Sequence, residues 1–302
     1  MGTRNLNEKS ITKAVIERNK KAESARFKAV LTSLVKNLHR FARDVKLTED
    51  EWNYGIDFLT RTGQLCSDKR QEFILLSDTL GLSTLVTQLN HHSHGKETEQ
   101  TVFGPFHREK APVYAMGDNI SKGIRGVPCF VSGTITDAKG RPIAGAVLDV
   151  WHSDDDGAYD VQRAEWKGAM RMRGVFKPGP DGTFHLRTIR PKYYPVPTDG
   201  PTGELLKAAA RHPMRPAHIH FMVNAKGYDR LVTHVFVKGD EYIDSDAVFG
   251  VRDSLISKFK MHQVGKAPDG TVVRTPYCTL HYDFVLRPAK KAGKKHDGVK
   301  KK

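Results

Sequence analysis

Arg215-Pro216-Ala217-His218-Ile219-His220-Phe221 sets two imidazoles two residues apart in an apolar segment. In a strand, period-2 geometry turns both to one face a few ångströms apart, and a neutral imidazole pair on one rigid strand is a metal chelate. The plainer alternative is a pair of hydrogen-bonded core histidines. Two tyrosines stand in settings that bear on the choice. Val147–Trp151 runs as an apolar strand into the acidic turn His152-Ser153-Asp154-Asp155-Asp156-Gly157-Ala158, which ends on Tyr159. Arg187 to Pro201 is a proline-rich loop carrying Tyr194, stiff because each proline fixes its own φ and restricts the residue before it. Alone, each tyrosine reads as a structural residue. With the histidines, two phenolates, two imidazoles and a hydroxide make a hard, anionic site whose three negative charges neutralise Fe³⁺. A free phenol ionises near pH ~10, and a strong Lewis acid favours the ionised form.

Two composition regimes position these residues. Residues 8–45 carry apolar positions at helical spacing (Ile11, Val15, Val30, Leu31, Leu34, Val35, Leu38, Phe41) with no Pro or Gly, which predicts a long amphipathic first helix. Thr48-Glu49-Asp50-Glu51 is a capping box opening a helix to about Thr60. Ser67 is the expected cap of another ending near Gly81, and a fourth spans Leu82 to Asn90. An apolar stripe on so small a lobe calls for a second subunit to cover it. After Gly104-Pro105-Phe106 come short apolar alternations at Cys129–Thr136, Ala146–Trp151, Gly182–Ile189, Ala217–Val223, Leu231–Val237 and Tyr277–Leu286, with no helical pattern between them. Strands at this cadence predict an antiparallel sandwich.

Charge narrows the partners. Of the net +15 over 302 residues, residues 1–46 carry +8 and 287–302 carry +7, which leaves the intervening body neutral. A nucleic-acid-binding face would put its cations on the body, so no nucleic acid is expected, and the lysine-rich tail reads as disordered and solvating. No apolar run reaches the ~20 residues that span a bilayer, so no membrane insertion is expected, and the N-terminus has no apolar leader. Cys66, Cys129 and Cys278 are odd in number and widely spaced, which fits a reduced cytoplasm and argues against a thiolate zinc site.

Over about residues 25–288 the chain resembles the intradiol ring-cleavage dioxygenases. The resemblance rests on Trp151-His152 with Gly157-Ala158-Tyr159, on Arg187 to Tyr194, on Arg215 to His220, and on Gly239-Asp240-Glu241-Tyr242 with Asp244 to Val251. It implies Fe(III) held by Tyr159, Tyr194, His218 and His220, with Tyr194, not Tyr193, in the ligand register. Tyr194 would act also as a base, and Arg215 would stabilise negative charge on the ring. It implies a mixed fold, an antiparallel β-sandwich catalytic domain (101–288) with an N-terminal α-helical lobe (1–100) that forms a homodimer, often around bound lipid, and a tail over 289–302. Leu75-Leu76-Ser77-Asp78, Thr101 to His107, Tyr194 to Pro201 and Thr233-His234-Val235-Phe236 are similar to the hydroxyquinol branch of that family. There Leu75, Asp78, Val102, Gly104, Pro105, Phe106, Val196, Pro197 and Arg215 would line the ring pocket, with Asp78 accepting from a third hydroxyl that catechol lacks. His234 stands where the catechol branch often has Gln.

The expected reaction is ring opening of benzene-1,2,4-triol by O₂ to 3-hydroxy-cis,cis-muconate, the enol form of maleylacetate, with catechol or a substituted catechol as the alternative substrate. Two further alternatives stand apart from tyrosinate chemistry. His152 and Asp154, with a distant histidine, could build a ferrous 2-His-1-carboxylate site. A non-catalytic basic protein would instead bind lipid or nucleic acid through its tails.

Overall fold

The computed structural model describes residues 4–91 and 95–289, and the lysine-rich tail from 290 lies outside the described residues. The chain divides into two compact units with the break between Leu59 and Thr60. In the first, helix α1 (Ile11–Arg18) passes through a 3₁₀ turn, and α2 (Ala25–Asp44) starts afresh. The single periodic stretch expected over 8–45 is therefore interrupted. Ser24 leaves the helical region (φ −85°, ψ 120°) and its hydroxyl accepts from the Phe27 amide at 3.2 Å, satisfying one of the orphan amides of the new helix. Arg43 ties the two together by donating to the Glu8 carbonyl at 2.7 Å and to Thr12 Oγ1 at 2.6 Å. Phe27, Val30, Leu34, Leu38 and Phe41 recur at spacings of three and four along α2, and all are exposed. The capping box at Thr48 forms as expected: the Thr48 amide donates to Glu51 Oε2 at 2.9 Å and the Glu51 amide to Thr48 Oγ1 at 3.3 Å. It opens α3 (Glu49–Gln64).

The second unit, which opens with the last residues of α3 from Thr60, continues with α4 (Glu72–Thr79) and α5 (Leu82–Asn90). Ser67 caps no helix; it accepts from the amides of Lys69 and Arg70 in the turn before α4. Glu72 is fully buried, paired with Arg70 and accepting from the Thr202 amide at 3.1 Å. Arg70 also reaches Asp199 at 2.8 Å, so α4 is fastened to the segment following Tyr194.

The sheets come next. In chain order the strands are β1 (Pro128–Asp137), β2 (Val147–Trp151), β3 (Arg173–Phe176), β4 (Thr183–Ile189), β5 (Tyr194–Pro195), β6 (Met214–Arg215), β7 (His218–Asn224), β8 (Leu231–Val237), β9 (Ile256–Ser257), β10 (Lys260–His262), β11 (Gly265–Lys266), β12 (Val272–Val273), β13 (Tyr277–His281) and β14 (Phe284–Leu286). One five-stranded sheet has the order β3-β2-β7-β8-β9, and the other joins β10, β13, β1, β14 and β4. Both are mixed: β1 runs parallel to β13 and to β14, and β8 parallel to β9. The expected Tyr277–Leu286 strand is two strands because Tyr282 donates its amide to the Ser132 carbonyl and Asp283 accepts from the Thr134 amide, wrapping the chain around Gly133. A Cβ on Gly133 would run into the Tyr282 carbonyl. Helix α6 (Pro201–Ala208), missing from the sequence reading, follows Gly200 with proline in its first turn, where no amide is needed.

One apolar core takes Val131, Ile135, Phe184, Leu280 and Phe284 from one sheet and Leu148, Val150, Phe176, Ile219, Phe221 and Val235 from the other. The odd-numbered residues of β7 fill this core. The even-numbered His218 and His220 face the other way, yet both are buried. That second burial shows that loops cover the outer side of the sheet. Among the described residues no helix is long and apolar enough to cross a membrane.

Candidate metal centre

Strand pairing assembles the centre. Within β7, alternation puts His218 and His220 on one face; across the sheet His220 faces Trp151 on β2 and His234 on β8, while His218 faces Phe236. The Trp151 ring lies flat on His220, with centroids 4.7 Å apart and planes at 12°, and so fixes the orientation of that imidazole. His107, paired with Asp149 at 2.9 Å, meets Trp151 edge-on from behind.

Tyr159 is carried by the acidic turn. Asp154 accepts from the amides of Asp156 and Ala158 and pairs with Arg163, so its charge closes the turn. Gly157 sits at φ 88°, and a Cβ there would stand 2.9 Å from the Tyr193 carbonyl and from Tyr194 Cβ. Glycine thus lets the Tyr159 turn and the Tyr194 backbone come together. Asp160 takes two bonds from the buried Arg173, which also donates to the Phe106 carbonyl at 3.0 Å and locks the 104–107 loop over the site. Phe106 stacks on Tyr159 at 4.4 Å. Tyr194 lies on β5, directly opposite Arg215 on β6. Its neighbour Tyr193 turns outward onto Tyr242.

The four side chains converge. The Tyr159 hydroxyl donates to that of Tyr194 at 3.2 Å and lies 3.0 Å from His220 Nε2, and the Nε2 atoms of His218 and His220 are 3.1 Å apart. His218 Nδ1 donates to the Pro216 carbonyl at 2.7 Å, which fixes the tautomer and leaves its Nε2 lone pair facing inward. Burial pushes both imidazoles well below their usual range, so both are neutral, and it pushes the phenols of Tyr159 and Tyr194 up. His220 Nδ1 is buried with no partner. Two neutral imidazoles with nitrogens turned on each other, beside two phenols, are a poor set of partners for one another and a good one for a hard, highly charged cation, which would reverse the upward push on the phenols. The residues fit a ferric ion.

Arg215 borders the cluster. Its Nη1 lies 3.5 Å from the Tyr194 hydroxyl and donates to His218 Nε2 at 3.3 Å, while Nε and Nη2 engage the two oxygens of buried Asp246 at 3.0 and 3.3 Å. Asp246 is anchored by the Val248 and Gly250 amides. Burial pulls the Arg215 pKa down, but Asp246 first and then the two phenols more than offset this and the guanidinium stays charged. Asp246 falls inside a motif quoted from the sequence, yet no spacing rule connects it with Arg215, thirty-one residues away.

The expected pocket residues separate into groups. Leu75, Val102 and Val196 meet in one apolar cluster with Leu206 and Val248. Asp78 is buried on α4, its carboxyl pushed up to about 6 by burial while Ser83 and the Arg215 charge pull it down. Gly104, at φ 75°, would place a Cβ 3.4 Å from His220 Cε1, so the loop backbone rests on that ring. Pro105 borders a cavity of about 340 Å³ with Lys69, His107, Arg108 and Val161. Pro197 is half-buried beside Val196. The ferrous alternative finds no assembly: both His152 nitrogens are taken, by the Ser153 carbonyl and Thr188 Oγ1, and Asp154 is committed to Arg163.

Comparison with known proteins gives the family. The family model described as "Dioxygenase" matches residues 103–288, and the one described as "Catechol dioxygenase N terminus" matches residues 24–98. The chain is 55% identical to a 6-chlorohydroxyquinol 1,2-dioxygenase of Cupriavidus pinatubonensis over 92% of its own length and 97% of that protein. It is 47% identical to a hydroxyquinol 1,2-dioxygenase of Nocardioides simplex over 87% and 90%. The solved structure of a hydroxyquinol 1,2-dioxygenase from Pseudomonas putida DLL-E4 superposes with a TM-score of 0.84 at 46% identity, covering 93% of this chain and 99% of that one. With two tyrosines, two histidines and a charge-balanced arginine gathered under the 104–107 loop, and with matches of this extent, the chain belongs to the intradiol ring-cleavage dioxygenases.

Proposed function

We propose that this protein opens benzene-1,2,4-triol between its two adjacent hydroxyl-bearing carbons with O₂, giving 3-hydroxy-cis,cis-muconate, the enol form of maleylacetate. The observation that carries the choice of triol over diol is Asp78, a buried carboxyl close enough to Arg215 to feel its charge, on the helix that supplies Leu75 to the apolar cluster. The Ser83 contact only partly offsets the cost of burying this carboxyl, and the third hydroxyl of the triol would be a further donor to it. Relatives at 55% and 47% identity that carry hydroxyquinol in their names support the same substrate.

In this reading Tyr159, Tyr194, His218 and His220 hold Fe(III). Bound there, ferric iron would take the two adjacent oxygens of the ring and withdraw charge from it, preparing a ring carbon to react with O₂. Tyr194 is the residue placed to receive a proton from the incoming diol, because its hydroxyl faces both Tyr159 and Arg215. Arg215 stays charged beside Asp246 and stabilises negative charge as it builds on the ring, with no reorganisation needed at that moment. Leu75, Val102, Val196 and Phe106 exclude water, Gly104, Pro105 and Pro197 shape the rim, and the stack of Trp151 on His220 keeps that imidazole in register.

By role, residues 1–100 form the helical lobe, which lends Leu75 and Asp78 to the pocket, and 101–288 the catalytic domain with its two sheets as a sandwich. The exposed stripe of α2 is the face through which a second copy docks, with lipid as an additional occupant. Three free cysteines support a cytoplasmic setting. The test is a visible spectrum of the iron-loaded protein, followed by anaerobic addition of the triol and then air. A tyrosinate-to-iron band that shifts with the triol and decays with O₂, and faster turnover of triol than of catechol, are the expected results. A colourless iron-loaded protein would refute the ligand set, and equal or faster turnover of catechol would move the assignment to the alternative substrate.

A further inference from the structure

The sheet that carries none of the four proposed ligands holds a cavity of about 480 Å³ on the side turned away from the shared core. Val131, Leu186 and Leu280 fill that core, so the residues alternating with them on β1, β4 and β13 take the outer face. Two rows cross the strands there. Arg187, Phe130, Thr279 and Lys260 stand opposite one another in turn on β4, β1, β13 and β10, and His185, Ser132 and His281 form the next row. His262 of β10 also lines the cavity, its ring stacked on Tyr277 at 4.8 Å. The hairpin of β11 and β12 closes one side, with Ala267 and Tyr277 packed on Phe130 and Asp269 in the wall.

The cavity is rich in donors and poor in acceptors. Lys260 is exposed and pairs with no carboxylate among the described residues. Arg187 gives Nε to the Gly117 carbonyl at 2.8 Å and meets Asp269 at 3.4 Å, whose carboxylate also takes the Thr271 amide at 2.9 Å. Its Nη1 reaches Thr271 Oγ1 at 3.4 Å, and its Nη2 has no acceptor among the described residues. Two cations against one carboxylate leave a positive wall around an aromatic floor. An inorganic anion would use one cation and leave the ring of Phe130 without a partner. A polynucleotide needs a run of cations along a groove, which two do not make. We propose that this cavity binds a flat, unsaturated dicarboxylate, its carbon chain over Phe130, one carboxylate held by Arg187 and the other by Lys260. Three strand spacings put the Cα atoms of those two residues about 14 Å apart, a gap that their long side chains close around a short chain. The ring-opened product of the proposed reaction is a molecule of that class, so the site suits the enzyme's own product. That last step rests on the proposed reaction; the binding does not.

The probe is cis,cis-muconate, titrated calorimetrically into the iron-loaded protein at low salt, with inorganic phosphate titrated in parallel. Muconate should bind once per chain with a Kd of about 0.1–1 mM, and phosphate at least about tenfold more weakly. The tyrosinate band of the resting protein should not move, and muconate should not compete with the triol in O₂ uptake, because the core separates the cavity from the centre. Lys260→Glu sets a like charge against one carboxylate and should weaken muconate binding at least about tenfold. Ser132→Asp does the same from the floor between His185 and His281, and carries the test if the first variant does not fold. Turnover of the triol should stay within about twofold of the parent in both. Absence of binding would overturn the proposal, as would binding that survives both substitutions. So would binding seen only with a shifted tyrosinate band, which would place muconate on the iron, or phosphate binding as tightly as muconate. If the protein opens neither triol nor catechol while muconate binds as described, the proposed reaction fails and the site stands.

Discussion

Asp78 sets binding against stability, and replacing it by asparagine measures both. Burial pushes this carboxyl from its ordinary 3.8 to about 6. A raised folded-state pKa means that folding takes up a proton between those two values, so the contribution is favourable at low pH and is lost as pH climbs through about 6. The gap is worth about 3 kcal/mol at ~1.36 kcal/mol per pH unit, of which the whole is felt at pH 7 and above. Asparagine has nearly the same shape and no charge, so Asp78→Asn should be more stable than the parent at pH 8 by about 1–3 kcal/mol. The lower bound allows for the Ser83 contact, which favours the charged form. Near pH 4 the advantage should vanish, because the parent carboxyl is then neutral as well. The same change replaces the charged acceptor for the third hydroxyl by a neutral carboxamide oxygen, a weaker one, so kcat/KM for the triol should fall about tenfold while catechol, which has no such hydroxyl, changes by less than about threefold. Urea unfolding at pH 4 and pH 8, with steady-state O₂ uptake on both substrates, reads all four quantities. An unchanged or lower stability at pH 8 would refute the burial argument. Equal losses on triol and catechol would refute the pocket role.

Two further substitutions test the scaffold. Asp246→Ala strands the Arg215 charge in a dry site and frees the amides of Val248 and Gly250, so unfolding free energy should drop by about 3–5 kcal/mol, measured by urea titration at pH 7; a loss under about 1 kcal/mol would show that water reaches the guanidinium. Gly157→Ala combines φ 88° with a Cβ 2.9 Å from the Tyr194 side chain, and should displace the tyrosinate band of the iron-loaded protein and cost about 1–3 kcal/mol, whereas an unshifted band would mean that the turn yields without moving Tyr194.

How far the sequence reached depends on whether the controlling contacts are local. The capping box at Thr48 and the strand at Leu231–Val237 were legible because each is decided by neighbours in the chain. The break at Ser24 was not, since apolar spacing runs on through the 3₁₀ turn Asn19–Lys21 and only the hydroxyl bond to Phe27 marks the new start. Parallel pairing of β1 with β13 and β14 was equally hidden, because alternation fixes which face a residue takes and says nothing of the direction in which its partner runs. Helix α6 was masked by the prolines before it, although Gly200-Pro201 is itself a start signal.

The centre divides along the same line. His218 and His220 are read off one strand by counting two. Tyr194 rather than Tyr193 needed a family register in the sequence, whereas in the fold the pairing of Tyr194 with Arg215 turns one ring inward and leaves the other against Tyr242. Asp246 lies within a quoted motif that gave it no role, and in the fold it is the buried carboxylate paired with Arg215. A buried guanidinium obliges the chain to supply a carboxylate and acceptors somewhere, but sequence distance places no bound on where. The carboxylate that balances Arg215 is for that reason the last group to be found from sequence, thirty-one residues from the arginine it holds.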